Sequence, residues 1–408
     1  MTITSPARPR SPRPSYSVSS SLSRVPQLDW MLLLATAALL ALGTMLVWSA
    51  TAERDALTGG DSEAFLRRHL VNIAIGIVLA VLVAATDHRW VRILAPVVYA
   101  ASLIGLVLVL VMGSTINGSR SWIIIAGMSI QPAEFAKLAV VVGMALVVAE
   151  RTESSWKKRE VVDRDVLGML GIAALPAVMI LLQPDLGTML VLLATVFGVI
   201  AASGAPRRWL LGLGIAGVGA AAAAVRFGLL EDYQIDRFMA FTDPGLDPQG
   251  AGYNVLQARI AIGDGGLLGQ GLFQGSQTRA GFVPEQHTDF IFTVAGEELG
   301  LVGSLLLIGL FAVILWRALR IAARTDDLFG RVAAAGIACW FGFQAFQNIG
   351  MCLGIMPVTG VPLPLVSYGG SAMFAGLLAI GLLQNIHVRA TAPAATRLAS
   401  QDPGLVLR

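Results

Sequence analysis

The sequence predicts an all-α polytopic membrane protein with about ten transmembrane helices. Two observations lead to this fold class. The chain has 408 residues, of which 55% are hydrophobic and only 13% are charged, whereas a soluble domain carries about 25% charged residues. Its apolar residues also occur in blocks of about 17–25, the length that crosses a bilayer as a helix. The blocks do not alternate apolar and polar residues as the strands of a membrane barrel do.

The ten predicted spans follow one another from the N-terminal arm to residue 387. Their approximate cores are 29–49, 70–86, 92–112, 133–149, 166–183, 187–203, 209–225, 289–316, 331–351 and 367–387. An even number of spans puts both termini on the same side of the membrane. We expect three regions: a disordered basic tail over 1–28, a ten-helix domain over 29–387 and a second tail over 388–408.

Positive charge indicates which side faces the cytoplasm, because Lys and Arg are enriched in cytoplasmic loops. Cations cluster in the N-terminal arm and in alternate loops, at 88–92, 156–159, 206–208 and 317–331. Both termini are therefore predicted to be cytoplasmic. The opposite loops, 50–69, 113–132, 184–186, 226–288 and 352–366, are predicted to be extracytoplasmic. The loop over 226–288 is by far the longest, and we expect short or re-entrant helices within it.

Several classes of chemistry find no support in the sequence. No P-loop motif is present, so nucleotide-driven chemistry is not expected and any reaction must use an activated substrate. The two cysteines, Cys339 and Cys352, have neither disulfide nor zinc spacing, and the four histidines are scattered. No metal ligand cluster is predicted.

Polar residues recur at the outer ends of the predicted spans. Glu134 and Lys137 are three residues apart, so on a helix they share a face. They are either a self-neutralising pair, with Lys137 reaching outward to the interface, or part of a functional site. Asp185 lies between the fifth and sixth spans, where it either caps the sixth helix or faces a cavity.

The last outer loop, over 354–371, is too rich in proline and glycine to be a regular helix. It contains Pro357, Pro362, Pro364 and Ser367. Irregular backbone at membrane depth is tolerated where it is buried in protein or lines a cavity. We therefore predict that this loop is a rigid wall of a polar cavity.

Three carboxylates, Asp289, Glu297 and Glu298, lie at the mouth of and inside the eighth span. Acids in a membrane-length segment are costly and each needs a partner, a watery cavity or a function. Asp289 either caps the helix or acts as a general base at the membrane boundary, where desolvation raises the pKa of a carboxyl group. Glu297 and Glu298 point in other directions, and we expect them to bind other spans as structural anchors.

Five motifs in order resemble the SEDS family of membrane glycosyltransferases, to which RodA and FtsW belong. They are Asn117-Gly-Ser-Arg-Ser-Trp-Ile, Gln131-Pro-Ala-Glu-Phe-Ala-Lys, Gln183-Pro-Asp-Leu-Gly-Thr, Pro284-Glu-Gln-His-Thr-Asp-Phe-Ile-Phe and Met356-Pro-Val-Thr-Gly-Val-Pro-Leu-Pro-Leu-Val-Ser-Tyr-Gly-Gly-Ser. The segment from Asp243 to Ala258, followed by Gly275-Ser-Gln, resembles the elongation branch, RodA.

The resemblance implies polymerisation of peptidoglycan glycan strands from lipid II at the outer leaflet, for cell elongation and rod shape. By matching position, it makes Asp289 catalytic and gives Trp122 a role in activity. The resemblance and the polar outer loops together give six residues that are expected to line the substrate cavity: Trp122, Glu134, Lys137, Asp185, Arg120 and Ser367. Many family members carry Arg directly before the motif Trp, where this chain has Ser121, so the role of Arg120 is open.

The resemblance also implies a class B penicillin-binding protein as partner, in the bacterial cytoplasmic membrane. No cofactor is required by the sequence, although the chemistry leaves room for a divalent cation such as Mg²⁺ or Mn²⁺. Three alternatives stay open at this point: a lipid II flippase, a polymerase of the division (FtsW) type and a catalytically silent scaffold for the transpeptidase.

Overall fold

The computed structural model describes residues 27–116, 119–125, 128–153, 160–228, 234–235, 237 and 250–391. Several segments of the sequence analysis lie outside these residues: most of both predicted tails, Asn117 and Gly118, the cations of 157–159, and 243–249 of the segment that resembles the elongation branch.

Within the described residues the chain forms thirteen helices and three short strands. The helices are α1 (Trp30–Ala52), α2 (Asp55–Thr58), α3 (Ala64–Ala85), α4 (His88–Met112), α5 (Pro132–Glu153), α6 (Asp163–Leu181), α7 (Leu186–Ser203), α8 (Arg207–Arg226), α9 (Ala251–Asp264), α10 (Ser276–Ala280), α11 (Ile291–Arg324), α12 (Leu328–Leu353) and α13 (Gly370–Thr391). Ten of these helices are long and apolar enough to cross a membrane. The predicted number of spans is confirmed, and the short helices α9 and α10 lie in the long loop, where short helices were expected.

Four of the spans begin at an aspartate that caps the helix. The carboxylates of Asp29, Asp87, Asp185 and Asp327 accept backbone N–H groups of the first turns of α1, α4, α7 and α12, over 2.9–3.3 Å. These bonds satisfy donors that a helix leaves unpaired at its N-terminus. Short polar residues therefore set where these apolar helices begin.

The spans are not equally buried. In α5, α12 and α13, 72–83% of the most apolar window is buried inside the protein, whereas none of that window in α8 is. The helix α12 packs against α5, α7 and α11, and α13 packs against α3. The three buried helices form the centre of the bundle, and they are the helices that adjoin the polar loops described below.

A small antiparallel sheet interrupts the helices between α4 and α5. Its strands are β1 (Ser114–Ile116), β2 (Ser119–Ile125) and β3 (Met128–Ile130), and β2 pairs with both neighbours. The register sets Trp122 opposite Ser114 and Arg120 opposite Thr115. An extracytoplasmic loop was expected here from the sequence, and strands were not.

The helix α11 is kinked at Gly300, where φ is 65° and the helical hydrogen bonds are broken. The segment 265–271 of the long loop replaces them. Four backbone hydrogen bonds of 2.9–3.1 Å join the two segments: Leu301 N–H to Gly266 O, Val302 N–H to Leu267 O, Gln270 N–H to Glu297 O and Gly271 N–H to Glu298 O. Exposed backbone in a membrane must be satisfied internally, so the kink and the loop segment depend on each other.

Candidate active site

Asp289 lies in the irregular segment just before α11, and it is partly buried. It does not cap the helix, since Phe290 takes the N-cap position. Its carboxylate instead accepts the hydroxyl of Thr288 over 3.0 Å. Gly360 of the proline-rich loop lies directly beside it, because a Cβ atom at Gly360 would be 3.5 Å from Asp289 Oδ2. The carboxylate therefore faces the loop that was predicted to form a cavity wall.

The pKa of Asp289 is raised from 3.8 to about 7, first by burial and then by the negative charge of Glu285. The hydrogen bond from Thr288 and the positive charge of Arg237 act in the opposite direction. A carboxyl group with a pKa near neutrality is suited to taking a proton at neutral pH. A strongly perturbed pKa of a carboxyl group is also typical of functional sites.

Three side-chain amides of α12 hold this site together, and they were not predicted from the sequence. They occur at Gln344, Gln347 and Asn348, so one face of a central span is polar. The amide of Gln344 donates to Pro362 O over 2.8 Å, and the amide of Gln347 donates to Thr359 Oγ1 over 2.7 Å. The amide of Asn348 donates to both Asp289 O and Val361 O, over 2.6 and 2.8 Å. Amides at i, i+3 and i+4 within an apolar span were the available signal, because such groups require partners in a membrane.

Glu134 and Lys137 form the predicted pair in α5. The Nζ of Lys137 lies 2.7 Å from Glu134 Oε1 and 2.7 Å from Gln344 Oε1, and 5.2 Å from the centre of the Trp340 ring. The side chain of Lys137 is 0% exposed, so the expectation that it reaches outward to the interface is wrong. The reason is that α5 lies in the centre of the bundle and offers no route to the surface. In this conformation both groups are closed off from solvent.

Asp185 caps α7, as one of the two alternatives proposed. Its carboxylate accepts the N–H and the hydroxyl of Thr188, over 2.9 and 2.8 Å, and the amide of Gln131 over 3.0 Å. The first turn of α7 also touches the proline-rich loop, since a Cβ atom at Gly187 would lie 2.6 Å from Thr359 O. Asp185 is partly exposed, so capping leaves room for a contact with substrate.

Arg120 and Trp122 lie on β2, which packs against α4 and α5. The guanidinium of Arg120 donates to the carbonyl oxygens of Gly113 and Val111, over 2.9 and 3.0 Å. It thereby satisfies backbone acceptors at the end of α4, as cations do near helix C-termini. Trp122 is partly exposed.

The proline-rich loop is irregular from Met356 to Gly369, as its composition predicted. Ser367 is buried, and its hydroxyl accepts the N–H of Leu363 over 2.8 Å. Ser367 therefore stabilises the turn that includes Pro364 and does not open into a cavity in this conformation. Pro362 supplies the carbonyl oxygen that Gln344 binds, and Pro357 precedes the segment that contacts α7.

Glu297 and Glu298 have different partners. Glu298 accepts the hydroxyl of Ser49 in α1 over 2.5 Å, so it binds another span as expected. Glu297 accepts the N–H groups of Gln277 and Thr278, over 2.6 and 3.0 Å, and the hydroxyl of Thr278 over 2.7 Å. Its partner is therefore the short loop helix α10, and the expectation that it binds a span is wrong.

No group of three or more His, Cys, Asp or Glu side chains that could hold a metal ion occurs among the residues that the structure describes.

Known proteins resemble this chain over nearly its whole length. The chain is 39% identical over 368 residues to "Peptidoglycan glycosyltransferase MrdB" of Escherichia coli K12, covering 88% of this chain and 93% of that protein. It is 37% identical to "Stage V sporulation protein E" of Bacillus subtilis, covering 88% and 96%.

Two solved structures share the fold. The crystal structure of the rod shape determining protein RodA of Thermus thermophilus has a TM-score of 0.65 and 32% identity, and the match covers 90% of this chain and 98% of that one. A chain in a structure of "a peptidoglycan synthase complex" has a TM-score of 0.73 and 33% identity, covering 90% and 99%.

The family model for the cell cycle proteins FtsW, RodA and SpoVE matches residues 29–392. This range contains all ten spans, the proline-rich loop and Asp289. The chain belongs to the FtsW/RodA/SpoVE family, the SEDS family, and within it is RodA-like.

Proposed function

We propose that this protein is a multi-pass enzyme of the bacterial inner membrane that polymerises peptidoglycan glycan strands from lipid II. The observation that carries the proposal is Asp289, whose pKa of about 7 suits it to act as a general base beside the proline-rich loop. The relative MrdB is named a peptidoglycan glycosyltransferase, and the RodA relative is named for rod shape. The second name favours the elongation role over the division role.

In the proposed step, Asp289 takes the proton of the 4-hydroxyl group of N-acetylglucosamine in the acceptor. The hydroxyl oxygen attacks C1 of N-acetylmuramic acid in the donor, and a C–O bond forms. The bond from C1 to the undecaprenyl pyrophosphate breaks, and the pyrophosphate leaves with the electron pair. The configuration at C1 inverts from α to β. Lipid II already carries its leaving group, so the reaction needs no nucleotide.

The negative charge on the pyrophosphate requires cationic groups, because electrostatic stabilisation is a large part of such catalysis. Lys137 and Arg120 are the candidates from the sequence. Lys137 is neutralised by Glu134, and Arg120 is bound to the end of α4. Either residue must change partners before it contacts a phosphate. Arg237 joins them as a third candidate, because its charge already lowers the pKa of Asp289.

A class B penicillin-binding protein is the partner we propose, acting as the transpeptidase that crosslinks the new strand. The support is the similar chain in a structure whose title reads "Structural coordination of polymerization and crosslinking by a peptidoglycan synthase complex". Copurification of the full-length chain with the candidate transpeptidase, followed by crosslinking of the pair, tests this contact.

The function is tested with purified protein, its partner and labelled lipid II, with the glycan products separated on gels. The wild-type protein should form polymer, and Asp289→Asn should form none. Asp264→Asn is the matched control, because Asp264 is an exposed carboxylate of the long loop. This variant should retain activity.

Full activity of Asp289→Asn would overturn the assignment of the base. Movement of lipid II between leaflets without polymer would favour the flippase instead. Normal growth of cells that carry Asp289→Asn would favour the scaffold.

A further inference from the structure

The three amides of α12 differ in the surroundings of their oxygen atoms. The oxygen of Gln344 accepts two donors, Lys137 Nζ and Trp340 Nε1, each over 2.7 Å. The oxygens of Gln347 and Asn348 are buried and have no hydrogen-bond partner among the described residues. Nearly all buried polar atoms of folded proteins have a partner. Two adjacent residues whose acceptors lack one therefore indicate a place where a ligand supplies the donors.

The orientation of the Asn348 amide is fixed by its partners. Its nitrogen donates to the backbone carbonyl oxygens of Asp289 and Val361, over 2.6 and 2.8 Å. An amide oxygen in that place would face two other acceptors, so the nitrogen must occupy it and the oxygen must point elsewhere. Both N–H groups of this amide are thus used by the protein itself, and its acceptor oxygen remains for a ligand.

Both amides belong to the immediate surroundings of Asp289. Asn348 is bonded to the backbone of Asp289 itself, and Gln347 is bonded to the hydroxyl of Thr359, the residue before Gly360. Apart from its chain neighbours, a Cβ atom at Gly360 would have only Asp289 Oδ2 within 4 Å among the described residues. Gly360 is exposed, whereas the two amides are buried. The segment 359–361 therefore lies between the exposed side of the proline-rich loop and the amides.

The chemistry of these two acceptors indicates what they bind. An amide oxygen accepts hydrogen bonds and carries no net charge, so it suits hydroxyl groups and does not suit a phosphate. In the proposed reaction, Asp289 takes the proton of the 4-hydroxyl group of N-acetylglucosamine. The ring carbons on either side of that position carry a hydroxyl group and a hydroxymethyl group. Both are donors that come close to the carboxylate together with the reacting oxygen, and two acceptors lie beside it.

We propose that Asn348 and Gln347 bind the N-acetylglucosamine of the acceptor, through the two hydroxyl-bearing groups that flank its 4-hydroxyl. The two amides then mark the acceptor side of the active site. Their assignment rests on the proposed function, since it takes Asp289 as the base. The segment 359–361 shifts to admit the sugar, because it covers both oxygens in this conformation. Gln344 has no such role, as its oxygen already accepts two donors.

The test compares two ligands that differ only in this sugar: lipid II, and the same lipid-linked molecule without its N-acetylglucosamine. Binding of each to the purified full-length protein is measured by native mass spectrometry, in which the mass of the ligand distinguishes lipid II from any polymer. A site built for hydroxyl groups rejects an analogue that lacks them, because its buried acceptors stay unpaired. The wild-type protein should bind lipid II at least about tenfold more tightly than the shorter ligand.

Gln347→Met and Asn348→Ala each remove one acceptor oxygen. In each variant the preference for lipid II should fall to about threefold or less, while binding of the shorter ligand changes little. Two positions are used because Asn348→Ala also removes the bonds to Asp289 and Val361, so the test survives if this variant fails to fold. Phe346→Leu is the matched control, since Phe346 is the preceding residue of α12 and is 53% exposed. Its preference should equal that of the wild-type protein.

Equal binding of the two ligands by the wild-type protein would overturn the acceptor site. An unchanged preference in both amide variants would also overturn it, even if the two ligands lose affinity together, because that is the result of a purely structural role. The proposed function is judged separately, by the gel assay for polymer. Polymer from a wild-type protein that shows no preference for lipid II would leave the function standing and remove only the acceptor site.

Discussion

Replacing Asp289 by asparagine should abolish polymerisation and at the same time stabilise the protein. The pKa of Asp289 is raised from 3.8 to about 7, chiefly by burial, and a tenfold change in a proton affinity corresponds to about 1.4 kcal/mol. Because the folded protein prefers the protonated carboxyl, ionising it costs stability. The wild-type protein therefore loses stability as the pH rises from about 4 to about 7, and above pH 7 it carries the full cost.

Asparagine has nearly the same shape and no charge, so the variant does not incur this cost. At pH 8 its free energy of unfolding should exceed that of the wild-type protein by at most about 4 kcal/mol, since water partly screens a half-buried carboxylate. At pH 4 the two proteins should be equally stable. The measurement is thermal unfolding in detergent at both pH values, together with the gel assay for glycan polymer.

Asp264→Asn serves as the control, since it removes an exposed carboxylate and should change stability equally at both pH values. A stability of Asp289→Asn that matches the wild-type protein at pH 8 would refute the argument from burial.

The same reasoning applies to Glu285→Gln, because the charge of Glu285 raises the pKa of Asp289. In a profile of polymerisation rate against pH, the fall in rate on the acid side should therefore move to lower pH in this variant. A fall at the wild-type pH or at a higher pH would contradict the assignment of Asp289 as the base.

Two further predictions concern the structure around the site. Lys137→Met should destabilise the protein by about 3–5 kcal/mol, because it leaves the carboxylate of Glu134 buried without its charged partner. In a thermal unfolding assay, adding Glu134→Gln should restore most of the lost stability. If the double variant is no more stable than Lys137→Met, the two residues do not stabilise the protein as a pair. Gly300→Ala should destabilise the protein by at least about 1–3 kcal/mol, because φ is 65° there and the new Cβ atom would meet the loop backbone. Gly309→Ala in the same helix is the control, because a Cβ atom at Gly309 would have no atom within 4 Å. The unfolding temperature of this variant should stay within about a degree or two of the wild-type value. Equal effects of the two substitutions would contradict the proposed role of the kink.

The helices themselves were predictable because a spanning helix needs a long apolar run, and that requirement is local in the sequence. The first residues of α1, α7 and α12 could be found to within a few positions, since an aspartate caps the N-terminus of each helix. The strands of the sheet before α5 were not predictable in the same way. Each is short, and only its pairing with its neighbours makes it a strand.

Asp289 and the proline-rich loop could be singled out from the sequence, whereas their arrangement and the amides of α12 that hold them could not. Asp289 and Gly360 are 71 residues apart in the sequence, and no local pattern indicates that Gly360 faces the carboxylate. Lys137 illustrates the same limit. A lysine near the end of a span is expected to reach outward, and only the central position of α5 in the bundle keeps it buried against Glu134 and Gln344.

Hydropathy, the placement of positive charge and the five motifs were enough for the membrane class, the number of spans, the family and the choice of Asp289. These properties depend on residue type and spacing along the chain. The environment of Asp289, the partner of Glu297, the kink at Gly300 and the placement of the α12 amides beside Asp289 arise from contacts between segments that are distant in the sequence. Burial and electrostatic interactions depend on distance in space, so they are decided only when the helices pack together.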